Sequence, residues 1–210
     1  LNAGLFTLAF GGAVAFIGTF LGLMFGYAIA RTGGWLANVL AQFSYLPLLI
    51  PGIAFGAAYI ALFSQPIGPF PALYGTFTLM VIAGIAYTLP FAVQAGQAAM
   101  TQVSGELEES ARMTGATLPR RLANIFFPLT ARGLLAGTVL TFVKMVRDLS
   151  LVVLLFTPAT PVLSVVAFRY ASEGFLQFAN AITVIIALIS VTTTLLAQRL
   201  QGQNQPWRNT

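Results

Sequence analysis

The sequence predicts an all-α protein, a polytopic bundle of transmembrane helices with five core spans, or six if an N-terminal helix is missing. Three observations carry that prediction. Hydrophobic residues fill 58% of the 210 positions and charged residues 7%, whereas about a quarter of a soluble domain is charged. The apolar stretches are long and uninterrupted, unlike the short alternating segments of an outer-membrane barrel. The charges gather between those stretches, with six of the fifteen inside residues 106–121. Cysteine and histidine are both absent, which excludes disulfide scaffolds, thiolate or imidazole metal sites and nucleophile–histidine catalysis. No catalytic residue and no metal site is therefore expected. The net charge of +5 fits cationic loops on one side of a membrane better than a nucleic-acid partner.

The first span is residues 5–30. It is long enough to cross a bilayer and ends on Arg31 instead of a small-residue cleavage site, so it reads as a span and not as a signal peptide. The chain opens at Leu1 with no methionine and no basic region ahead of this span, as expected of a processed chain, a fragment or half of a larger protein. Gly18, Gly22 and Gly26 repeat every fourth residue, a doubled small-residue motif that predicts close packing against another helix.

No charged side chain occurs between Thr32 and Gly105, a stretch of 74 residues that holds two spans. The proline-rich segment 64–71 is the turn between them, giving spans at 38–63 and 73–99. Pro47, Pro51 and Pro90 fall inside these spans and predict kinks. A fourth span covers 133–156 and contains Lys144, Arg147 and Asp148. Such charges cost roughly 2.5 to 3.5 kcal/mol each near the bilayer centre, so they must face protein or water. Residues 157–177, with Pro158, Pro161, Arg169 and Glu173, form a loop, a short re-entrant helix or both. The fifth span is 178–198, and 201–210 is a polar tail with Trp207 and Arg208 near the interface.

The polar island at 104–132 cannot cross a bilayer and must connect spans outside the hydrocarbon. It reads as two short helices. Ser104 is placed as the first N-cap, with Glu106, Glu108 and Glu109 opposing the positive end of the helix dipole. Gly115 stops that helix. Thr117 caps a second one with Pro119 in its first turn, and Leu118, Leu122, Ile125 and Phe126 recur on one face.

The pattern Glu109-Ser110-Ala111, three residues, Gly115, nine residues, then Ile125-Phe126-Phe127-Pro128 resembles the EAA loop of ABC-transporter permeases. Ser110 and Phe127 depart mildly from the family's alanine and leucine. The resemblance implies a single permease domain over residues 1–210 with a cytoplasmic coupling loop at 101–130, standing alone or as half of a fused permease. It assigns Glu109, Ala111, Gly115, Leu118, Leu122, Ile125 and Pro128 to coupling with an ATPase. Glu109 either pairs with a basic residue of that partner or remains a solvated charge at a helix start. The implied partners are a cytoplasmic ABC ATPase dimer, an extracytoplasmic solute-binding protein, a second permease half or copy, and the lipid bilayer. No Gly-x4-Gly-Lys-Ser/Thr loop occurs, so ATP and magnesium are expected in the partner and no cofactor on this chain.

A second stretch resembles ferric-iron permeases: Arg147-Asp148-Leu149-Ser150, then Leu154-Leu155-Phe156-Thr157-Pro158, then Glu173-Gly174. Asp148 stands where that group has glutamate, and Ala159-Thr160 stand for Gly-Thr. The solute implied is ferric iron, with polyamines, thiamine and inorganic or organic anions as alternatives in the same class. Lys144, Arg147, Asp148 and Glu173 are the candidate path residues, because intramembrane charges are functional by default. Arg147 and Asp148 would otherwise be a structural salt bridge. Gln42, Gln94 and Gln97 are expected to bond neighbouring helices. With the island cytoplasmic, seven arginines share its side against Arg169 alone, which places the N-terminus outside and the C-terminus inside the inner membrane. A stand-alone channel or carrier is the rival from another class. A membrane enzyme has little to work with, since only Asp148 and Glu173 are acidic outside the island.

Overall fold

The computed structural model describes residues 2–66, 68–69 and 71–202. Ile67 and Phe70 of the proline-rich turn, and Trp207 and Arg208 of the tail, lie outside the described residues. Ten α-helices follow one another among them: α1 Asn2–Thr32, α2 Gly34–Tyr45, α3 Gly52–Phe63, α4 Phe77–Thr101, α5 Gly105–Met113, α6 Leu118–Arg121, α7 Phe127–Arg147, α8 Val152–Leu155, α9 Leu163–Ser172 and α10 Leu176–Gly202. Four helical stretches are long and apolar enough to cross a bilayer: Asn2–Arg31, Phe77–Thr101, Leu118–Arg147 and Leu176–Gln201. Together with one bent pair they make the five spans expected.

That bent pair corrects the second span, which is not one helix over 38–63. A 3₁₀ turn at Leu46–Leu49 ends α2, and α3 leaves it at 102°. The break falls at a proline: Ile50 is extended at φ −101°, ψ 124°, the conformation favoured before proline, and Pro51 then opens α3 as its N-cap. Pro90, by contrast, is buried inside the unbroken α4. The third span begins at Phe77 instead of Leu73 because the Thr76 hydroxyl accepts the Leu79 N–H at 3.2 Å.

The fourth span is shifted as well. It runs through Leu118–Arg147 and ends there, so Lys144, Arg147 and Asp148 sit at its terminus and not in its middle. The second island helix is therefore the start of this span. A π-turn at Leu122–Phe126 joins α6 to α7.

Helices α1, α4 and α7 pack against one another as the centre of the bundle, and α9 and α10 lean on α7. Phe10 and Val14 of α1, Leu79 and Met80 of α4, and Met145 of α7 are fully enclosed, together with Leu151, Val152 and Leu155 beyond α7. Lipid is as apolar as these side chains, so association depends on close packing and polar contacts instead of burial from water. The glycine motif supplies the closest approach. A Cβ on Gly22 would overlap the Ala92 carbonyl, and one on Gly26 would overlap the Gly96–Gln97 peptide. Gly18 faces open space and takes no part. Thr19 and Thr138 add a hydroxyl pair across α1 and α7 at 2.9 Å. The outer face of α10 exposes Phe178, Val184, Leu188 and Leu196, as suits a helix against lipid.

Candidate coupling loop and intramembrane charges

The island folds around one carboxylate. Glu108 is 4% exposed, although it lies on a helix of nine residues whose other two glutamates point to solvent. Tyr27 of α1 donates its hydroxyl to Glu108 Oε1 at 2.5 Å. Arg112 Nη2 and Arg121 Nη1 reach the same oxygen at 3.1 and 2.8 Å. Arg31 Nε lies 3.0 Å from Oε2. It is an ion pair off the line that a hydrogen bond requires, and this nitrogen has no hydrogen-bond partner among the described residues. Arg31 also donates from Nη2 to the Val103 carbonyl at 2.8 Å, and its guanidinium lies over the Phe126 ring at 5.6 Å. Tyr27 meets that ring edge-on at 5.3 Å. The end of α1, the end of α4, the loop and the π-turn thus converge on one cluster, with Leu23, Met100, Phe126 and Leu134 as its apolar base.

Gly115 stops α5 as expected. Its φ of +77° is the left-handed conformation, and the Gly115 and Ala116 N–H groups close the turn on the carbonyls of Arg112 and Ala111. Ser104 and Thr117 occupy the N-cap positions, but neither side chain caps its helix. The proposed apolar face is uneven: Phe126 is fully buried and Leu122 and Ile125 are half-buried. Leu118 is 42% exposed, Met113 89% and Leu107 49%. Glu109 and Pro128 are exposed and Ala111 half-buried. The island thus presents open apolar side chains beside acidic ones, an arrangement suited to a protein partner.

At the other end of α7, Lys144 Nζ lies over the rings of Tyr87 and Phe91 at 4.1 and 5.1 Å and 3.9 Å from Asp148 Oδ2. Asp148 Oδ1 accepts the Leu151 N–H at 2.8 Å, holding the turn beyond α7. The alternative reading, an Arg147–Asp148 bridge, is not what forms: Asp148 pairs with Lys144. Arg147 points outward, lining a cleft with Lys144 and Asp148. Glu173 is half exposed and 3.8 Å from Arg169 at helical spacing, away from the Lys144 group. Three of the four candidate path residues are therefore brought together and the fourth is not. Gln42, Gln94 and Gln97 make no side-chain hydrogen bond with the described residues, so they do not bond neighbouring helices; Gln94 opens onto a groove between α4 and α7 with Phe91, Gly133 and Gly137. No group of three or more metal-ligating side chains occurs among the described residues.

The sequence motif singles out Glu109 for coupling and gives its neighbour Glu108 only a charge at a helix start. The i,i+4 spacing of Glu108 and Arg112 was visible, but nothing in the sequence joined either to Tyr27 and Arg31.

The fold and these two sites define a class: a polytopic helical membrane subunit with a structured polar loop between spans. Residues 18–209 match the family described as the binding-protein-dependent transport system inner membrane component, and the chain belongs to that family. A probable molybdenum ABC transporter permease protein of Haloferax volcanii is 30% identical over 200 residues, 93% of this chain and 71% of its own length. The ferric transport system permease protein FbpB of Actinobacillus pleuropneumoniae is 24% identical over 199 residues, 95% of this chain and 28% of that one. A putative 2-aminoethylphosphonate transport system permease protein of Salmonella paratyphi A is 24% identical over 170 residues, 81% of this chain. The chain spans 62% of that relative's length. The same fold occurs in a bacterial ABC transporter involved in alginate import, with a TM-score of 0.78 at 18% identity over 97% of this chain and 79% of that one. It occurs too in the inward-facing MetNI methionine ABC transporter, at 0.72 and 17% over 95% and 93%.

Proposed function

We propose that this chain is the membrane-spanning permease subunit of an ATP-driven importer, and that residues 101–130 are the element that docks into a cytoplasmic ATPase pair. The observation that carries the proposal is the loop itself. Leu107, Met113 and Leu118 stand exposed on a polar segment whose fold is fixed from beneath by the Glu108 cluster, so a partner meets a preformed surface and pays little ordering cost. The N-terminus lies outside and the C-terminus inside, from the arginine distribution. Two such halves, fused or paired, serve one transporter with an extracytoplasmic solute-binding protein, and ATPase closure swings the spans between inward-open and outward-open states. The binding-protein family assignment and the periplasmic protein in complex with the alginate transporter support the solute-binding partner.

The test is co-purification in detergent with the ATPase encoded beside this chain. Gly115 has open space around the position of a Cβ, but its φ of +77° strains any other residue, so Gly115→Trp both adds bulk to the docking surface and disturbs the turn that shapes it. Retention by the wild type, with losses of about tenfold or more for Gly115→Trp and Glu109→Lys, is expected. No retention by the wild type would favour a channel or carrier.

For the solute we propose ferric iron moving with accompanying anions. The Arg147-Asp148-Leu149-Ser150 stretch and the ferric relative support it. The chemistry of the cleft favours a second reading, an oxyanion alone: it holds two cations, and its one acid is occupied by Leu151 and Lys144. Phosphonate and molybdenum relatives accord with that reading. Competition between labelled ferric iron, a phosphonate and molybdate in uptake by proteoliposomes decides between them. Under either reading, Lys144→Gln with Arg147→Gln is expected to lower uptake about tenfold or more while the transporter still assembles. Unchanged uptake would remove both residues from the path.

A further inference from the structure

We infer that Glu108 is a positioning residue that makes the loop and the inner end of α1 one mechanical body, so that motion of the loop reaches the path through α1 and α4 before α7. The inference rests on the loop being the ATPase-docking element. The Glu108 carboxylate is gripped from two sides. Tyr27 and Arg31 hold it from α1, at 2.5 and 3.0 Å. Arg112 and Arg121 hold it from the loop, at 3.1 and 2.8 Å. With the carboxylate almost wholly enclosed, water does little to weaken these contacts.

The covalent route from α5 to α7 is softer. It passes the glycine turn at Gly115, a helix of four residues and then the π-turn at Leu122–Phe126. A π-turn is a local defect that recurs at functional sites. The route through α1 has no such break, since Asn2–Thr32 is continuous. From α1 it crosses to α4 where Gly22 and Gly26 touch the backbone of Ala92 and Gly96, contact too close to slip. Phe91, next to Ala92, and Tyr87, about one turn before it on α4, are the two rings around Lys144. Pulling on Glu108 thereby moves the aromatic walls of the cationic cleft.

The test separates the two sides of the grip in the transporter assembly. Tyr27→Phe with Arg31→Gln releases α1 and leaves Arg112 and Arg121 on the carboxylate. Arg112→Ala removes a contact internal to the loop. The α1-side variant should keep its ATPase and its ATP hydrolysis but move about tenfold less solute per ATP, a coupling loss within the usual range for linked sites. Arg112→Ala, within the docking loop, should affect ATPase retention before coupling, with solute moved per ATP within about twofold of wild type. Equal solute per ATP in the α1-side variant and wild type would overturn the inference, as would equal losses in both variants.

An independent readout needs no ATPase. The chain has no native cysteine, so spin labels at Ala30→Cys and Met113→Cys, both exposed, in labelled copies diluted with unlabelled ones report the distance from α1 to α5. A single narrow distance in the wild type that broadens in the α1-side variant supports the tie, and equal widths refute it. A wild type that retains no ATPase yet shows the narrow distance would sink the transporter reading and leave the tie standing.

Discussion

Gly96→Val is expected to destabilise the bundle by about 3 kcal/mol, the upper end of the cost of overpacking. A Cβ on Gly96 would overlap the Gly22 carbonyl, and the obstacle is backbone on both sides. A flexible side chain could move aside; two helix backbones at this separation can only part. Parting α1 from α4 also breaks the main contact of the central three helices. The control lies in the same motif. Gly18 is buried yet has nothing within 4 Å of the position of a Cβ, so Gly18→Val is expected to cost about 1 kcal/mol or less. Denaturant titration in mixed micelles, with size-exclusion profiles, measures both. Similar losses for the two variants would show that the crossing at Gly22 and Gly96 is not what holds the pair.

Glu108→Ala is the second large effect, expected to cost about 3 to 5 kcal/mol, as for breaking a buried pair by removing one partner. Three guanidiniums share this carboxylate, and Arg121 is 9% exposed. Without the acid, Arg121 is left in the cluster with no counter-ion among the described residues. Glu109→Ala removes an acid one position along that is solvent-exposed and makes no ion pair with the described residues, so a change below about 0.5 kcal/mol is expected. The same titration distinguishes the two, and a Glu108 variant as stable as the Glu109 variant would show the cluster to be incidental.

These two predictions also mark where the sequence was and was not legible. Apolar length alone located α1, α4 and α10 within a few residues, because a bilayer asks little else of a span. The spacing from Glu109 to Pro128 drew attention to a segment that folds as a structured polar loop, and Gly115 turns where it had to. What failed depended on neighbours distant in the chain. Pro51 and Pro90 look alike as interior prolines, yet one opens a new helix and the other lies within one. Gly52, next to Pro51, fits closely against Ser150, a contact that no local pattern announces. The end of the fourth span moved to Arg147 because Asp148 caps the next turn instead of pairing with its neighbour. Glu108 was hidden for the same reason: the four adjacent positions 106–109 offer three glutamates and a leucine on a short polar helix, and only the arrival of Tyr27 and Arg31 decides which is enclosed.

The π-turn at Leu122–Phe126 bears on how the loop is aimed. Such a turn accommodates one residue more than an α-helix would, and at 3.6 residues per turn one residue is worth about 100° of azimuth and 1.5 Å of rise. Removing a single residue from this stretch would let α6 and α7 become one regular helix, while rotating everything before it around the axis of the span. The bearing of α5 relative to the bilayer is thus encoded as a length, and a one-residue gap in this segment between two relatives would re-aim α5 with every residue on it unchanged.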